Sequence, residues 1–550
     1  MKHYFTLIIL LLSGWSYPQE VLWPTTVGKH FSSNFGENRG DHFHMGVDIK
    51  TNGKIGMEVL AVEDGYISRI RSDYNGYGKA IYQRTVSGHE VVYGHLESFT
   101  PTMEKVWRLQ QGKRLSYNVD TQFSPKEFSV RKGDLIGYSG NTGHSFAPHI
   151  HFEYRSSKSI PLNPLTYAFN LEDNIRPVPK EIAVIPLSDG ALVNASSLTQ
   201  IIPLFRDKSG VYHFADTLSV FGEFGFSINA VDKRQGAKNK YQFHKIELKI
   251  DGQKQFAIDY DQIPFNQGKF AKTIIQYDLK RQNLGEFQKL YRLPEHRKLD
   301  IHTSEEFGII GLSPGMHSVE INIADAYGNK TIVKGMVIGT FPMTIETTEI
   351  FKDNKVAILA LAPQRGTLAI RDAVIYSFTK YGFADRKVEI IHSERVKKDL
   401  HVTIPLKSIK DRTLQIIAIN QLGGMVTPYH WSNIKSKISV VDLNPDLKIS
   451  NTERGIFLQI DLDQYAPGKA TIKLANDNTF MSYPMNQIQP NTFLTERLPH
   501  SVVENMRYID VELDHENLLR ETRFNYSIRV VKPGEEQYAF SNTSEYHKGS

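Results

Sequence analysis

His44 and Asp48, four positions apart, and His151 much later in the chain make a donor set that suits one zinc ion: two imidazoles and one carboxylate. Catalytic zinc commonly takes three protein ligands and keeps a fourth position for water. Two further histidines, His95 in Tyr93-Gly94-His95-Leu96 and His149 in His149-Ile150-His151, stand beside that set without being needed by it. Histidine titrates near neutral pH, so this pair is expected to handle protons at a metal-activated water, as a hydrolase requires. The ligand histidines and the base must all be neutral imidazoles, so activity is expected to fall at acidic pH.

These residues need strands to bring them together. In His149-Ile150-His151-Phe152-Glu153, β alternation sends both histidines to one face and Ile150 and Phe152 to the other. The stretch Phe43-His44-Met45-Gly46-Val47-Asp48-Ile49 is apolar around its two donors, as expected for a site seated against a core; if Asp48 begins a strand, His44 approaches from the preceding turn. His42, His89 and His144 are expected to face solvent or to support a ligand from behind, and Glu153 to be structural. Gly76-Tyr77-Gly78 reads as a turn between strands, too short for a phosphate loop.

From Val21 to about residue 170 short β-type runs alternate with glycine turns, such as Asp64-Gly65. One stretch breaks this pattern. Thr100-Pro101 reads as an N-cap followed by proline at the first helical position, with Met103, Val106 and Trp107 on one face, so a helical and loop insert is expected over about 100–128, packed peripherally. Arg176-Pro177-Val178-Pro179 reads as a linker. Beyond it, Lys245 to Ile250 alternates and meets Asp251-Gly252, a hairpin signature, and Ser318 to Ile323 alternates in the same way. Lys355 to Leu361, Val388 to Ile391 and Ile456 to Leu462 are further strand candidates.

The chain of 550 residues exceeds what one core serves. The expected division is a leader at 1–19, a catalytic domain at 20–172, an Ig-like antiparallel β-sandwich at 180–342, and β-rich modules at 343–440 and 441–550. Met1-Lys2 followed by an apolar run from Leu7 to Leu12 and by Gly14-Trp15-Ser16 reads as a secretory signal, too short to span a bilayer. No later run has the length of a transmembrane helix. The absence of cysteine excludes disulfides, lipoprotein anchoring and thiolate zinc ligands. A net charge of +5, from 65 basic and 60 acidic residues spread along the chain, is compatible with an anionic polymer such as cell wall and does not point to nucleic acid.

Several motifs fall in one order: Phe35-Gly36 with Arg39; Phe43 to Ile49; Ala61 to Gly65; Tyr93 to Leu96; Val130 to Gly137; Gly140-Asn141-Thr142-Gly143; and Pro148 to Glu153. In that order they resemble the LytM/lysostaphin-type zinc metallopeptidases over about residues 28–168. The resemblance implies a compact antiparallel β fold, the duplicated hybrid motif, and hydrolysis of peptide bonds in bacterial peptidoglycan. It implies His44, Asp48 and His151 as the ligands of one zinc ion and His95 and His149 as catalytic non-ligands. Two features depart from the family: the long insert, and His144 where small or basic residues are common.

The fold class expected is therefore mainly β, a LytM-type domain followed by two or three β-sandwich modules. The function expected is an exported zinc endopeptidase acting on peptidoglycan, periplasmic, envelope-associated or released, with the C-terminal modules positioning it or binding a protein or glycan partner. Two other readings stand beside it: a catalytically silent adaptor that activates another wall hydrolase, and a peptidase acting on extracellular proteins. Retention of all three donors weighs against the adaptor.

Overall fold

The computed structural model describes residues 21–341, 343–365, 368–379, 384–410, 412–432, 445–452, 454–463, 469–476, 479–504, 507–514, 522–528 and 540–541. The expected leader at 1–19 and the expected boundary near 440 lie outside the described residues. The chain is mainly β.

The N-terminal sheet is built from β1 (Phe31–Ser33), β2 (Val47–Lys50), β3 (Glu58–Leu60), β4 (Gly65–Ser72), β5 (Lys79–Thr85), β6 (Glu90–Phe99), β7 (Val119–Gln122), β8 (Ser129–Val130), β9 (Leu135–Ser139), β10 (His149–Arg155) and β11 (Pro161–Leu162). Its order is β1-β2-β10-β6-β5-β4-β7, with β11 on β10, β8 on β4, and β9 joining β3 to β6. The last strand in the chain to carry site histidines, β10, thus lies between β2 and β6, antiparallel to both, and sets His151 opposite Asp48 on one side and Gly94 on the other. Ile150 and Phe152 face away into a core with Val47, Ile49 and Tyr93, as the alternation requires. Asp64-Gly65 turns the chain between β3 and β4, which pair with other strands and not with each other.

A helix, Pro101–Arg114, follows Thr100, whose extended backbone caps it without a side-chain hydrogen bond. Met103 and Trp107 are its buried residues. The insert is more than helix and loop: β7 within it adds a strand to β4, and Trp107 Nε1 donates to Ser72 Oγ of β4 at 2.8 Å. This anchors the insert on the sheet edge, as a packing element.

The first strand of the next module spans Val178–Pro186, so Val178 and Pro179 of the expected linker already belong to the sheet. Its twelve strands include the expected hairpin at Asp251-Gly252, both residues with positive φ. It is not wholly antiparallel, because Tyr212–Phe214 and Leu218–Phe221 both run parallel to Lys330–Gly339. Residues 344–432 make two four-stranded sheets around one shared core. Val388 to Ile391, read from sequence as a strand, is instead the crossing from Ala384–Lys387 in one sheet to His392–Val396 in the other. Its apolar character has a simple cause: Val388 is buried in the shared core where the chain changes sheets. Strands from Asp446 to Ser541 form a single eight-stranded antiparallel sheet. Among the described residues no helix is long and apolar enough to cross a membrane.

Candidate metal centre

Strand pairing brings His151 Nδ1 to 3.0 Å from Asp48 Oδ1, and the loop between β1 and β2 carries His44 Nε2 to 3.0 Å from the same oxygen. The two ring nitrogens are 3.1 Å apart, closing a triangle of three donor atoms. All three residues are buried, at 5–7% exposure. Gly46 permits the approach: a Cβ there would sit 2.3 Å from the Phe152 carbonyl oxygen. Gly46→Ala must push β2 off β10, and is expected to cost about 1–3 kcal/mol of stability and to lower metal affinity, readable by thermal melts with and without zinc.

Each ring is oriented by a partner behind it. The Asn34 carbonyl accepts from His44 Nδ1 at 2.8 Å, and a carbonyl only accepts, so Nε2 of His44 holds the lone pair. Glu153 Oε1 lies 2.9 Å from His151 Nε2 and takes its proton-bearing side, leaving Nδ1 for the triangle. Arg39 donates to Asp48 Oδ2 at 2.6 Å and to Ser33 Oγ at 2.7 Å, which reserves Oδ1 for the centre. Glu153 is itself held by Arg155 and by the Tyr77 hydroxyl. Three lone-pair atoms this close repel one another unless a proton or a cation lies among them, and two imidazoles with a carboxylate are a zinc-type set.

The same logic applies to the other two histidines. Thr142 O accepts from His95 Nδ1 at 2.8 Å and Ala147 O from His149 Nδ1 at 2.7 Å. In the neutral form both rings therefore turn the Nε2 lone pair toward the cavity they line with His44, Asp48 and His151. His149 Nε2 is 3.4 Å from Asp48 Oδ1, and the rings of His95 and His149 are 4.7 Å apart between centroids. Burial, with His151 and His149 nearby, pushes His95 down to about 3, so it stays neutral. His95 also has φ of 60°, a left-handed conformation rare outside glycine, with its amide donating to Tyr77 O at 2.8 Å.

Burial opposes charge on His151, but its hydrogen bonds to Asp48 and Glu153 prevail and lift the metal-free ring from 6.5 to about 9. A folded value above the ordinary one means that this imidazolium stabilises in full below about 6.5, and that its contribution is lost as pH rises through about 9. A metal ion must displace the Nδ1 proton. Apparent zinc affinity is therefore expected to weaken about tenfold per pH unit below about 9, measured against a competing chelator. Affinity independent of pH between 6.5 and 9 would mean that His151 is already neutral without metal.

The structure thus gathers His44, Asp48, His95, His149 and His151 around one cavity. His144 and His42 also line it, His42 exposed beside Asp41, and His89 stacks on Tyr154. Glu153, read from sequence as structural only, instead touches a donor directly. Its position two residues after His151 on the same strand face was the available signal. Arg39 stood among the quoted motifs without a role, and Asn34, Thr142 and Ala147 act through backbone carbonyls, which side-chain identity does not reveal.

No family model matches the chain. A DD-carboxypeptidase/endopeptidase, Mpg, of Neisseria meningitidis serogroup B is 32% identical over 125 residues, covering 23% of this chain and 23% of the relative. The glycyl-glycine endopeptidase ALE-1 of Staphylococcus capitis is 32% identical over 118 residues, covering 22% of this chain and 25% of the relative. The match spans about a quarter of these curated relatives. The catalytic domain of the prophage-encoded M23 protein EnpA from Enterococcus faecalis, a solved structure, aligns over 26% of this chain and 98% of its own, at 21% identity and a TM-score of 0.19.

Proposed function

We propose that this chain, whose N-terminal domain is of the LytM/lysostaphin type, is an exported zinc endopeptidase hydrolysing peptide bonds in peptidoglycan crosslinks or stem peptides. The observation that carries this reading is the donor triangle of His44 Nε2, Asp48 Oδ1 and His151 Nδ1 with two non-ligand histidines turned to the same cavity. Zinc held by those three atoms would supply Lewis acidity, polarising a scissile carbonyl and acidifying a water.

The protein's own groups do the rest. Arg39, Glu153 and the Asn34 carbonyl keep the three donors aimed and in the right tautomer. His95 and His149 offer Nε2 lone pairs that can accept the proton of the attacking water and return it to the departing amine. Once protonated, either ring can donate to the developing oxyanion. The β-sandwich modules are read as positioning the catalytic domain at its substrate or as binding a protein or glycan there.

The test is digestion of isolated cell wall by the purified protein, with and without chelator. New amino termini released only when metal is present support the reading, and mass analysis of the muropeptides names the bond. Clearing only after a second hydrolase is added supports an adaptor instead, and inert wall with cleaved protein supports a protein substrate. His151→Ala is expected to abolish zinc retention, checked by metal analysis of the purified variant.

A further inference from the structure

Where the N-terminal domain meets the first sandwich, three aspartates from separate segments converge. Asp173 follows the catalytic stretch, Asp232 follows the strand Glu223–Val231, and Asp325 opens the turn between Gly315–Ala324 and Lys330–Gly339. One carboxylate oxygen from each lies within 4.8 Å of the others. Asp232 is 5% exposed and Asp325 2%. Carboxylates so close and so poorly solvated repel unless a proton or a cation lies among them.

One positive charge stands near, the Arg234 guanidinium, which acts on Asp173 against the effect of burial. Among the described residues none of the three forms an ion pair with Lys, Arg or His. The neighbouring Arg234 gives Nη1 to the Lys29 carbonyl at 2.8 Å and lies over the Phe31 ring. Hydrogen bonds do not complete the cluster either. Asp325 accepts from the amides of Tyr327 and Asn329 and from Asn329 Nδ2, and Asp173 Oδ1 accepts from Ile175 N. Asp232 Oδ1 and Asp173 Oδ2 are buried and have no partner. Burial, with Asp325 and Asp173 alongside, pushes the Asp232 carboxyl up to about 8 when no cation is present. A cleft lined by Asp173, Asn174 and Tyr327 opens beside Asp173.

An all-oxygen set of three carboxylates suits a hard cation. Calcium binds oxygen at about 2.3–2.6 Å and fills its remaining positions with water, so donors on opposite sides stand about 5 Å apart. The three carboxylate oxygens of Asp173, Asp232 and Asp325, all within 4.8 Å of one another, can share one such ion. We propose that Asp173, Asp232 and Asp325 bind one calcium ion, which fastens the N-terminal domain to the first sandwich.

The full chain, stripped by chelator and reloaded with zinc alone, tests this. Calcium titration is expected to raise the melting temperature by several degrees, saturating with an apparent Kd on the order of 10⁻⁴–10⁻³ M. Terbium should give emission sensitised by Tyr327 that calcium displaces. Asp232→Asn should weaken calcium at least tenfold yet fold without it, since the amide brings no charge into the cluster. Asp173→Asn, at a half-buried position, should give the same loss and covers the case in which the first variant does not fold. His151→Ala should keep the calcium response, separating this site from the zinc centre. A parent chain indifferent to calcium and terbium overturns the proposal and leaves Asp232 as a buried protonated carboxyl, and so does a response retained by both aspartate variants.

Discussion

His95→Ala is expected to lower kcat for the proposed hydrolysis by about two to four orders of magnitude while the purified protein still binds added zinc. His95 lies outside the donor triangle, so its loss leaves the three donor atoms in place. What disappears is a neutral Nε2 lining the cavity: burial keeps the ring uncharged, and the Thr142 carbonyl holds its single proton on Nδ1. The left-handed backbone at His95 complicates alanine, because any side-chain residue is strained there. Asparagine tolerates that conformation better, so His95→Asn should match the parent's melting temperature more closely and remain as slow as the alanine variant. Metal analysis together with single-turnover rates separates the outcomes. Full turnover in either variant would remove His95 from proton transfer and leave His149 to act alone.

Local periodicity made one half of this site legible and left the other hidden. The alternation in His149 to Glu153 correctly sends Ile150 and Phe152 into the core and both histidines to the cavity, because the pleat alone decides it. The hairpin at Asp251-Gly252 is equally local, since its turn needs two residues with positive φ. Arg39 against Asp48, or the Thr142 carbonyl against His95, depends on contacts between segments distant in sequence. The parallel pairings onto Lys330–Gly339 were hidden for the same reason. Val388 to Ile391 shows the converse error: an apolar run signals burial, and burial at a crossing between sheets looks like a strand.

The apolar residues around His44 conceal a larger dependence. They suggested a site seated against its own core, yet that core is divided. Val47 and Ile49 pack within the N-terminal sheet, whereas Phe35, Phe43 and Met45 are part of the core of the first sandwich. Hydrogen bonds follow the same seam: Asn34 exchanges two with the Gln242 backbone, Asn38 Nδ2 donates to Ala271 O, and the Phe43 amide donates to Gly268 O. The loop that presents His44, together with the Asn34 carbonyl that sets its tautomer, is thus moulded on the neighbouring module. A chain ending at residue 172 would expose three side chains now 0–8% exposed, worth about 1.5–3 kcal/mol each. Such a chain is expected to bind zinc at least about 100-fold more weakly than the full protein, since a few kcal/mol of lost loop order suffices for that factor. Phe43→Ala in the full chain should show part of the same effect, with a destabilisation of about 3–5 kcal/mol and weaker zinc binding although no donor is altered. Competition titration against a chromophoric chelator reads both. Equal zinc affinity in the shortened and full chains would show that the His44 loop holds its shape without the sandwich.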